Sequence, residues 1–171
     1  MSQGIREAHS DDVEAIARVH VRSWNQTYAG TFPADYLSER TETVRRETWS
    51  NWFANASDSH RAFVAQVDDA IVGFCSLGPS RKDGAKASVE VYAIYVERAF
   101  QGQGLGGALW KAACDVADEL GAERLTVSVL SDNDACSFYE YLGGELVGRE
   151  TRAFGGRELE LSTYLFELDG R

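Results

Sequence analysis

Glycine is concentrated in one short run of the chain, Gln101-Gly102-Gln103-Gly104-Leu105-Gly106-Gly107, which holds four of the 16 glycines. An apolar, β-branched segment, Ser88–Val96, precedes the run and predicts a strand. Apolar residues at helical spacing over 105–120 follow it and predict a helix that ends at Gly121. A glycine-rich turn at a helix N-terminus presents free backbone N–H groups without side chains in the way. The run therefore predicts a binding site for phosphate or pyrophosphate.

The glycine run allows two other interpretations. In the first, the glycines serve only the packing of a flexible turn. In the second, Gly102, Gly104 and Gly107 form the dinucleotide fingerprint G-x-G-x-x-G. That fingerprint opens a repeated parallel fold, and the chain after Gly107 is too short for a second nucleotide-binding half. The P-loop pattern G-x-x-x-x-G-K-[ST] does not occur in the sequence.

The remaining periodicities predict a mixed α/β fold with a central sheet flanked by helices. With 171 residues the chain is long enough for one domain, which we expect over 1–171 with a core at about 4–168. The predicted elements outside the glycine unit are an edge strand at 4–9, a helix at 11–28, a helix capped by Thr41 or Thr43, strands at 61–67 and 70–77 joined by Asp68-Asp69, a strand at 124–130, a helix at 135–142 and a strand at 159–166.

Charge and composition exclude several classes of function. The formal net charge is −10, from 17 Lys and Arg against 27 Asp and Glu, and the sequence contains no long run of Lys and Arg residues. Such a chain repels phosphate backbones, so we expect no nucleic-acid partner. The apolar segments are too short to span a membrane, and residues 1–7 do not have the pattern of a secretory signal. We therefore expect a cytoplasmic protein with no membrane partner.

Cysteine and histidine give no sign of a metal site. The three cysteines lie far apart without a CxxC pair, and the three histidines lack ligand spacing. We expect neither a disulfide framework nor a bound metal.

Two motifs resemble the GNAT superfamily of N-acetyltransferases. Written as [Arg/Gln]-x-x-Gly-x-[Gly/Ala], residues 101–106 are similar to the acyl-CoA pyrophosphate loop of that family. Downstream, Ala135-Cys136-Ser137-Phe138-Tyr139-Glu140-Tyr141-Leu142-Gly143 resembles the family helix A-x-x-[Phe/Leu]-Tyr-x-x-[Leu/Met]-Gly-Phe. The order of the motifs and the one strand between them also agree, and the resemblance extends from Ile5 to Leu168. It implies a GNAT-like fold, in which strands 4 and 5 splay apart around an acyl-CoA cleft.

The resemblance implies an acetyl-CoA-dependent enzyme that acetylates a primary amine by direct attack in a ternary complex, without metal or covalent enzyme intermediate. The backbone at the end of the central strand would pair with the pantetheine arm, and one N–H there would polarise the thioester carbonyl. The family asparagine that contacts pantetheine corresponds to Asp132, with Asn133 beside it. The implied cofactor-binding residues are Ile94, Tyr95, Val96, Gln101, Gly102, Gln103, Gly104, Leu105, Gly106, Gly107, Asp132 and Asn133.

The same resemblance supplies two candidate catalytic residues. Tyr139 falls on the family's general acid, which protonates the departing thiolate, although it could instead be only a core aromatic. Glu90, eleven residues before Gln101, matches the catalytic glutamate of the histone-type branch and could act as base directly or through water. Regular alternation puts Glu90 on the strand face of Tyr92, Ile94 and Val96, toward the cofactor. It could also be a solvated strand-edge carboxylate.

One further departure from the family pattern concerns packing. Gly144 stands where the family usually has phenylalanine, and we expect this substitution to loosen the packing after the helix.

The acceptor is less clearly defined than the cofactor. In the family its groove lies between the first two helices and the final strands, where this sequence has Trp24, Tyr28, Phe32 and Tyr36. These aromatics could cover a small cationic amine such as a polyamine, a hypothesis that the negative charge favours, or they could be core. A peptide amine is also possible. The alternative function is a non-catalytic acyl-CoA sensor or regulatory module, and by family analogy the protein could be a homodimer.

Overall fold

The computed structural model describes residues 1–82 and 88–169. Its strands are β1 Gln3–Glu7, β2 Arg61–Val67, β3 Ala70–Pro79, β4 Ser88–Val96, β5 Arg124–Leu130, β6 Glu145–Phe154 and β7 Arg157–Glu167. Its α-helices are α1 Val13–Tyr28, α2 Ala34–Ser38, α3 Glu42–Asn55, α4 Leu105–Glu119 and α5 Ala135–Tyr141. Within this described part the strands form one sheet in the order β1-β2-β3-β4-β5-β7-β6, and β4 with β5 is its one parallel pair.

Helices cover both faces of the sheet, because each presents an apolar stripe that must be buried. On one face, Leu109 and Ala113 of α4 are fully buried against the central strands. On the other, Ile16 and Val19 of α1 pack with Phe74 of β3. The predicted mixed sheet flanked by helices is confirmed.

Local chemistry at two predicted boundaries is also as expected. The hairpin between β2 and β3 turns at Asp68 and Asp69, whose φ angles of 46° and 67° are those of a two-residue turn that matches the strand twist. Thr41 caps α3, and its side chain accepts a hydrogen bond from the Val44 amide at 3.3 Å.

Strand β4 contains a bulge that changes which of its side chains share a face of the sheet. The pairing of β3 with β4 shifts register and leaves Tyr92 without a partner residue on β3. As a result Val91 and Ile94, three residues apart, both pack in the core beneath α4. The prediction that Glu90 shares a face with Ile94 and Val96 is therefore wrong, because regular alternation does not continue through a bulge.

Two elements have no counterpart among the predicted ones. Strand β6 lies at the edge of the sheet, and its residues are exposed except for the half-buried Phe154. The strand therefore has no alternation of buried and exposed residues from which it could be predicted. Helix α2 is only five residues long and contains no fully buried residue. Periodicity detects neither kind of element, since both lack an apolar stripe.

Gly144 tightens the packing after α5 instead of loosening it. A Cβ atom built there would lie 2.6 Å from Cζ of Phe166 and 2.9 Å from the Tyr139 carbonyl oxygen. The Phe166 ring occupies this space and packs 4.5 Å from the Trp110 ring, centroid to centroid. The expectation of loose packing is wrong, because an aromatic ring from β7 fills the gap.

Among residues 1–82 and 88–169, no helix has the length and apolarity needed to cross a bilayer. Within the same ranges, no three His, Cys, Asp or Glu side chains are gathered where they could hold a metal ion.

Candidate active site

A cleft opens where β4 and β5 separate. Their parallel pairing ends at Val91 with Val127, although β4 continues to Val96 and β5 to Leu130. The unpaired ends border a cleft of about 590 Å³, whose walls include the glycine turn and α5. A parallel pair that splays in this way leaves one edge of β4 free to pair with an extended ligand.

The polar backbone groups on this free edge can be assigned from the pairing on the other side. The Glu97 amide donates to the Val72 carbonyl of β3 at 2.9 Å. Since backbone groups of successive strand residues point to opposite edges, those of Val96 and Ile94 point into the cleft. The Val96 carbonyl already accepts a hydrogen bond from Nε2 of Gln101 at 2.9 Å, which ties the glycine turn to the end of β4.

The glycine turn ends in an uncapped helix N-terminus. Gly102 and Gly104 have φ angles of 74° and 84°, a left-handed conformation that side chains other than glycine rarely adopt. Gly104 is the N-cap of α4 and supplies no side-chain hydrogen bond to the first turn. A Cβ at either glycine would meet no atom within 4 Å, so the turn borders open space. This arrangement suits an anion on the helix axis.

Tyr139 lies in the wall of this cleft, near the start of α4. It is 3% exposed and packs against the rings of Trp110, Phe138 and Tyr164. Burial, reinforced by neighbouring groups including Cys75, raises the pKa of its phenol well above the usual value. The phenol is therefore neutral and holds its proton throughout the physiological range.

A pair of hydroxyl groups lies beside Tyr139 in the cleft. The Tyr28 and Tyr95 hydroxyl oxygens are 3.0 Å apart, and burial raises the pKa of both phenols. Both residues line the cleft together with Asn133. The Asn133 side chain accepts from the Ala135 amide at 2.8 Å and so orders the start of α5.

The structure brings most of the predicted site residues to the cleft. Glu90, Gln103, Leu105, Trp24 and Phe32 lie outside its lining. The predicted residues that line it are Tyr28, Ile94, Tyr95, Val96, Gln101, Gly102, Gly104, Gly106, Gly107, Asp132, Asn133 and Tyr139.

Glu90 is engaged with an arginine. Its side chain is 4% exposed, and both of its carboxylate oxygens accept hydrogen bonds from Arg81. Arg81 donates its backbone N–H and Nε to one oxygen, at 3.0 and 3.2 Å, and Nη2 to the other, at 2.8 Å. Glu90 is therefore a buried, paired carboxylate and not a solvated one.

The aromatic side chains predicted near the acceptor form one stacked cluster. Its members are Trp24, Tyr28, Phe32, Tyr36 and Phe154, hereafter the aromatic cluster. The Phe32 ring lies 5.3 Å from that of Trp24, 4.6 Å from that of Tyr28 and 5.1 Å from that of Phe154. The cluster thus joins the end of α1 to β6.

A comparison with protein families matches residues 13–143 to the acetyltransferase (GNAT) family. The chain belongs to the GNAT acetyltransferase family. The resemblance inferred from the two motifs is thereby confirmed, as is the prediction that the chain is an acetyl-CoA-dependent N-acetyltransferase, the activity that defines the family.

Relatives with known names agree with this assignment. The chain is 31% identical over 157 residues to the uncharacterized N-acetyltransferase YuaI of Bacillus subtilis, covering 91% of this chain and 88% of YuaI. It is 28% identical over 170 residues to the L-methionine sulfoximine/L-methionine sulfone acetyltransferase of Salmonella typhimurium, covering 96% and 94%.

Solved structures share the fold over the full length. The acetyltransferase yncA from Salmonella typhimurium, described as putative and solved with its cofactor acetyl-CoA, superposes with a TM-score of 0.76 at 25% identity, covering 100% of this chain and 96% of that one. The paia N-acetyltransferase of Thermoplasma acidophilum, solved with coenzyme A, gives 0.75 at 19% identity, covering 98% and 100%.

Three residues that line this cleft carried no signal in the sequence. Gln26, Thr27 and Thr31, at the end of α1 and just beyond, line the cleft, but the apolar stripe of α1 does not mark them. Arg98 also lines it, held by hydrogen bonds of 3.0 Å from its backbone N–H and its Nη2 to Gln26. Arg98 is thus a cation next to the glycine turn, which itself has none.

Proposed function

We propose that this chain transfers the acetyl group of acetyl-CoA to a primary amine by direct attack in a ternary complex, with Tyr139 as general acid. The observation that carries the proposal is the place of the Tyr139 phenol in the wall of the cleft, beside the open end of β4. The phenol is protonated at neutral pH, so it can donate its proton to the departing thiolate as the C–S bond breaks.

Binding of acetyl-CoA would use the open edge of β4 and the glycine turn. The backbone groups of Ile94 and the N–H of Val96 would pair with the pantetheine arm as an added strand does, since the Val96 carbonyl is already bonded to Gln101. The backbone N–H groups of the Gly102–Gly107 turn, at the positive end of α4, would hold the pyrophosphate, with the charge of Arg98 nearby. Asp132 and Asn133, across the cleft, would contact the pantetheine.

The reaction needs two proton transfers. Acetyl-CoA supplies an acetyl group activated as a thioester. A backbone N–H at the open edge of β4 would polarise its carbonyl while the amine nitrogen forms the new N–C bond and the C–S bond breaks. The amine gives up a proton, and Tyr139 donates one to the sulfur, so that free CoA leaves as a thiol. Holding both reactants in one cleft supplies proximity.

Glu90 remains our candidate for accepting the proton of the amine. Because Arg81 occupies both carboxylate oxygens and Glu90 lies outside the cleft lining, direct abstraction is disfavoured. A water chain from the amine to Glu90 would serve instead.

The test is thiol release from acetyl-CoA across an amine panel, with Tyr139→Phe beside the wild type. We expect acceptor-dependent release whose kcat falls about 10²- to 10⁴-fold in Tyr139→Phe, while calorimetry finds an unchanged affinity for acetyl-CoA. Tyr141→Phe is the matched control, since Tyr141 lies on the same helix and is 87% exposed. Its kcat should equal that of the wild type.

Other outcomes lead to different conclusions. Tight acetyl-CoA binding without thiol release from any amine would favour the sensor function. Equal losses of kcat in Tyr139→Phe and Tyr141→Phe would remove Tyr139 from the chemistry.

A further inference from the structure

Two arginine side chains cover the faces of the aromatic cluster. The guanidinium carbon of Arg40 lies 3.3 Å from the ring centroid of Tyr36 and 5.8 Å from that of Trp24. The guanidinium carbon of Arg45, on α3, lies 4.5 Å from the centroid of Trp24. The faces that could have held a cationic substrate are therefore already occupied by cations of the protein.

No carboxylate of the described residues balances the charge of these arginines. Neither Arg40 nor Arg45 has a carboxylate oxygen within 4.0 Å in the described part of the chain. Nε and Nη2 of Arg45 are buried and have no hydrogen-bond partner among the described residues. Burial, together with the charge of Arg40, lowers the pKa of Arg45, but a guanidinium stays charged near neutrality. A buried donor on a charged group costs free energy until an acceptor binds it.

These arginines lie close to the cleft. The Trp24 ring, which Arg45 covers, is 5.0 Å from the ring of Tyr28, centroid to centroid. Tyr28 lines the cleft, and its hydroxyl meets that of Tyr95 there. The Arg45 guanidinium and Tyr28 of the cleft wall thus contact the same Trp24 ring.

We propose that Arg40, Arg45, Trp24 and Tyr36 form a subsite for a carboxylate group, so that the preferred acceptor is an amine that carries a carboxylate. The inference rests on the proposed acetyltransfer to an amine and specifies its substrate class. A planar guanidinium matches a carboxylate and can donate two parallel hydrogen bonds to it, whereas it repels an ammonium group. The hypothesis of a polyamine acceptor is accordingly replaced by that of an amino acid or a similar amine.

The test uses amines of equal length that differ only at the far end. Amino acids with the amine at one end of the chain and the carboxylate at the other are prepared in increasing chain length. Each is compared with the alkylamine and the diamine of the same length, by thiol release from acetyl-CoA. We expect the carboxylate to raise kcat/KM about 10- to 100-fold over the alkylamine, as charge-assisted hydrogen bonds do, and the diamine to be the poorest acceptor.

Variants separate recognition from folding. Arg45→Gln should abolish the preference for the carboxylate, mainly through KM, and should lower kcat/KM for the carboxylate-bearing amine far more than for the alkylamine. Arg45→Lys should keep part of the preference, because it retains the charge but not the planar fork. Arg46→Gln is the matched control, since Arg46 is the next residue on α3 and pairs with Glu14 at 3.3 Å. This control should behave as the wild type.

Binding provides a readout that does not depend on turnover. Quenching of tryptophan fluorescence by the same amines, with CoA present, should report tighter binding of the carboxylates in the wild type and not in Arg45→Gln. The subsite is refuted if the alkylamine or the diamine is the better acceptor, if the carboxylates bind no more tightly, or if Arg45→Gln lowers kcat/KM for all three amines equally. Failure of the acetyltransferase function is distinct, because no amine would then release thiol.

Discussion

Replacing Gly104 by alanine separates the backbone geometry of the glycine turn from its mere flexibility. Gly104 is the N-cap of α4, with φ at 84° and ψ at −2°. An L-residue in this left-handed conformation costs about 1–2 kcal/mol. The matched control is Gly106→Ala in the first turn of the same helix, where φ is ordinary and the new Cβ would lie 3.9 Å from Cζ of Phe138, a normal contact. There, alanine should stabilise the helix by up to about 1 kcal/mol.

Calorimetry measures both consequences. In a domain of this size 1 kcal/mol shifts Tm by about 2–4 °C, so Gly104→Ala should lower Tm by about 2–8 °C while Gly106→Ala leaves it unchanged or raises it. The strain can be relieved only by turning N–H groups away from the anion. We therefore expect titration to show acetyl-CoA affinity reduced by about tenfold in Gly104→Ala, the equivalent of 1.4 kcal/mol, and nearly unchanged in Gly106→Ala.

Two results would refute this reasoning. If the two variants change Tm by the same amount, the left-handed N-cap is not what the turn requires of glycine. If Gly104→Ala is destabilised but binds acetyl-CoA with wild-type affinity, the turn is not the pyrophosphate site.

Two further predictions concern packing and pH. Gly144→Ala should lower the free energy of unfolding by about 1–3 kcal/mol, because its Cβ would overlap the Phe166 ring. The loss should shrink in a Phe166→Leu background, which urea denaturation of the wild type, the two single variants and the double variant would measure. Burial, with the charge of Arg45, lowers the pKa of His20 to about 3. Below pH ~6.5, therefore, only the unfolded chain takes up this proton, and the free energy of unfolding falls by up to about 1.4 kcal/mol per pH unit. Urea denaturation midpoints measured against pH should show that this slope is absent in His20→Gln.

Each of these predictions has its own control. Gly148→Ala, where a new Cβ would meet no atom within 4 Å, should leave stability nearly unchanged. A full-sized effect of Gly144→Ala in the Phe166→Leu background would contradict the proposed overlap. For His20, which accepts a hydrogen bond from Nε1 of Trp49 at 3.1 Å, an imidazole NMR signal that titrates near pH 6.5 in the folded protein would contradict its neutral state.

Sequence periodicity predicted the elements that carry an apolar stripe. The helices α1, α3 and α4 and the strands β2, β3, β4, β5 and β7 all bury one or both faces, and burial forces apolar residues into a recurrent spacing. Strand β6 and helix α2 were missed because they bury little. The family followed from two short motifs and from their order along the chain.

The face of Glu90 shows where periodicity fails. Alternation along a strand assumes a regular pleat, and the extra residue at Tyr92 inverts the pattern halfway along β4. The residues of β4 by themselves do not predict the bulge, because it arises from the pairing of β4 with β3. For the same reason the sequence did not predict that Arg81 would pair with Glu90, nor that Phe166 would fill the space at Gly144.

The sequence alone predicted which kinds of residue the candidate site contains. These are a glycine turn before a helix, a tyrosine on a short helix after the next strand, and aromatic residues predicted near the acceptor. These are properties of neighbouring residues, and local backbone preference and hydrophobic spacing are encoded locally. Tertiary structure decided how far β4 and β5 part, that Tyr139 lies buried in the cleft wall, and that Arg40 and Arg45 lie over the aromatic cluster. These features depend on contacts between residues far apart in the chain. The burial of a side chain and its pairing with a charge are therefore defined only in the folded protein.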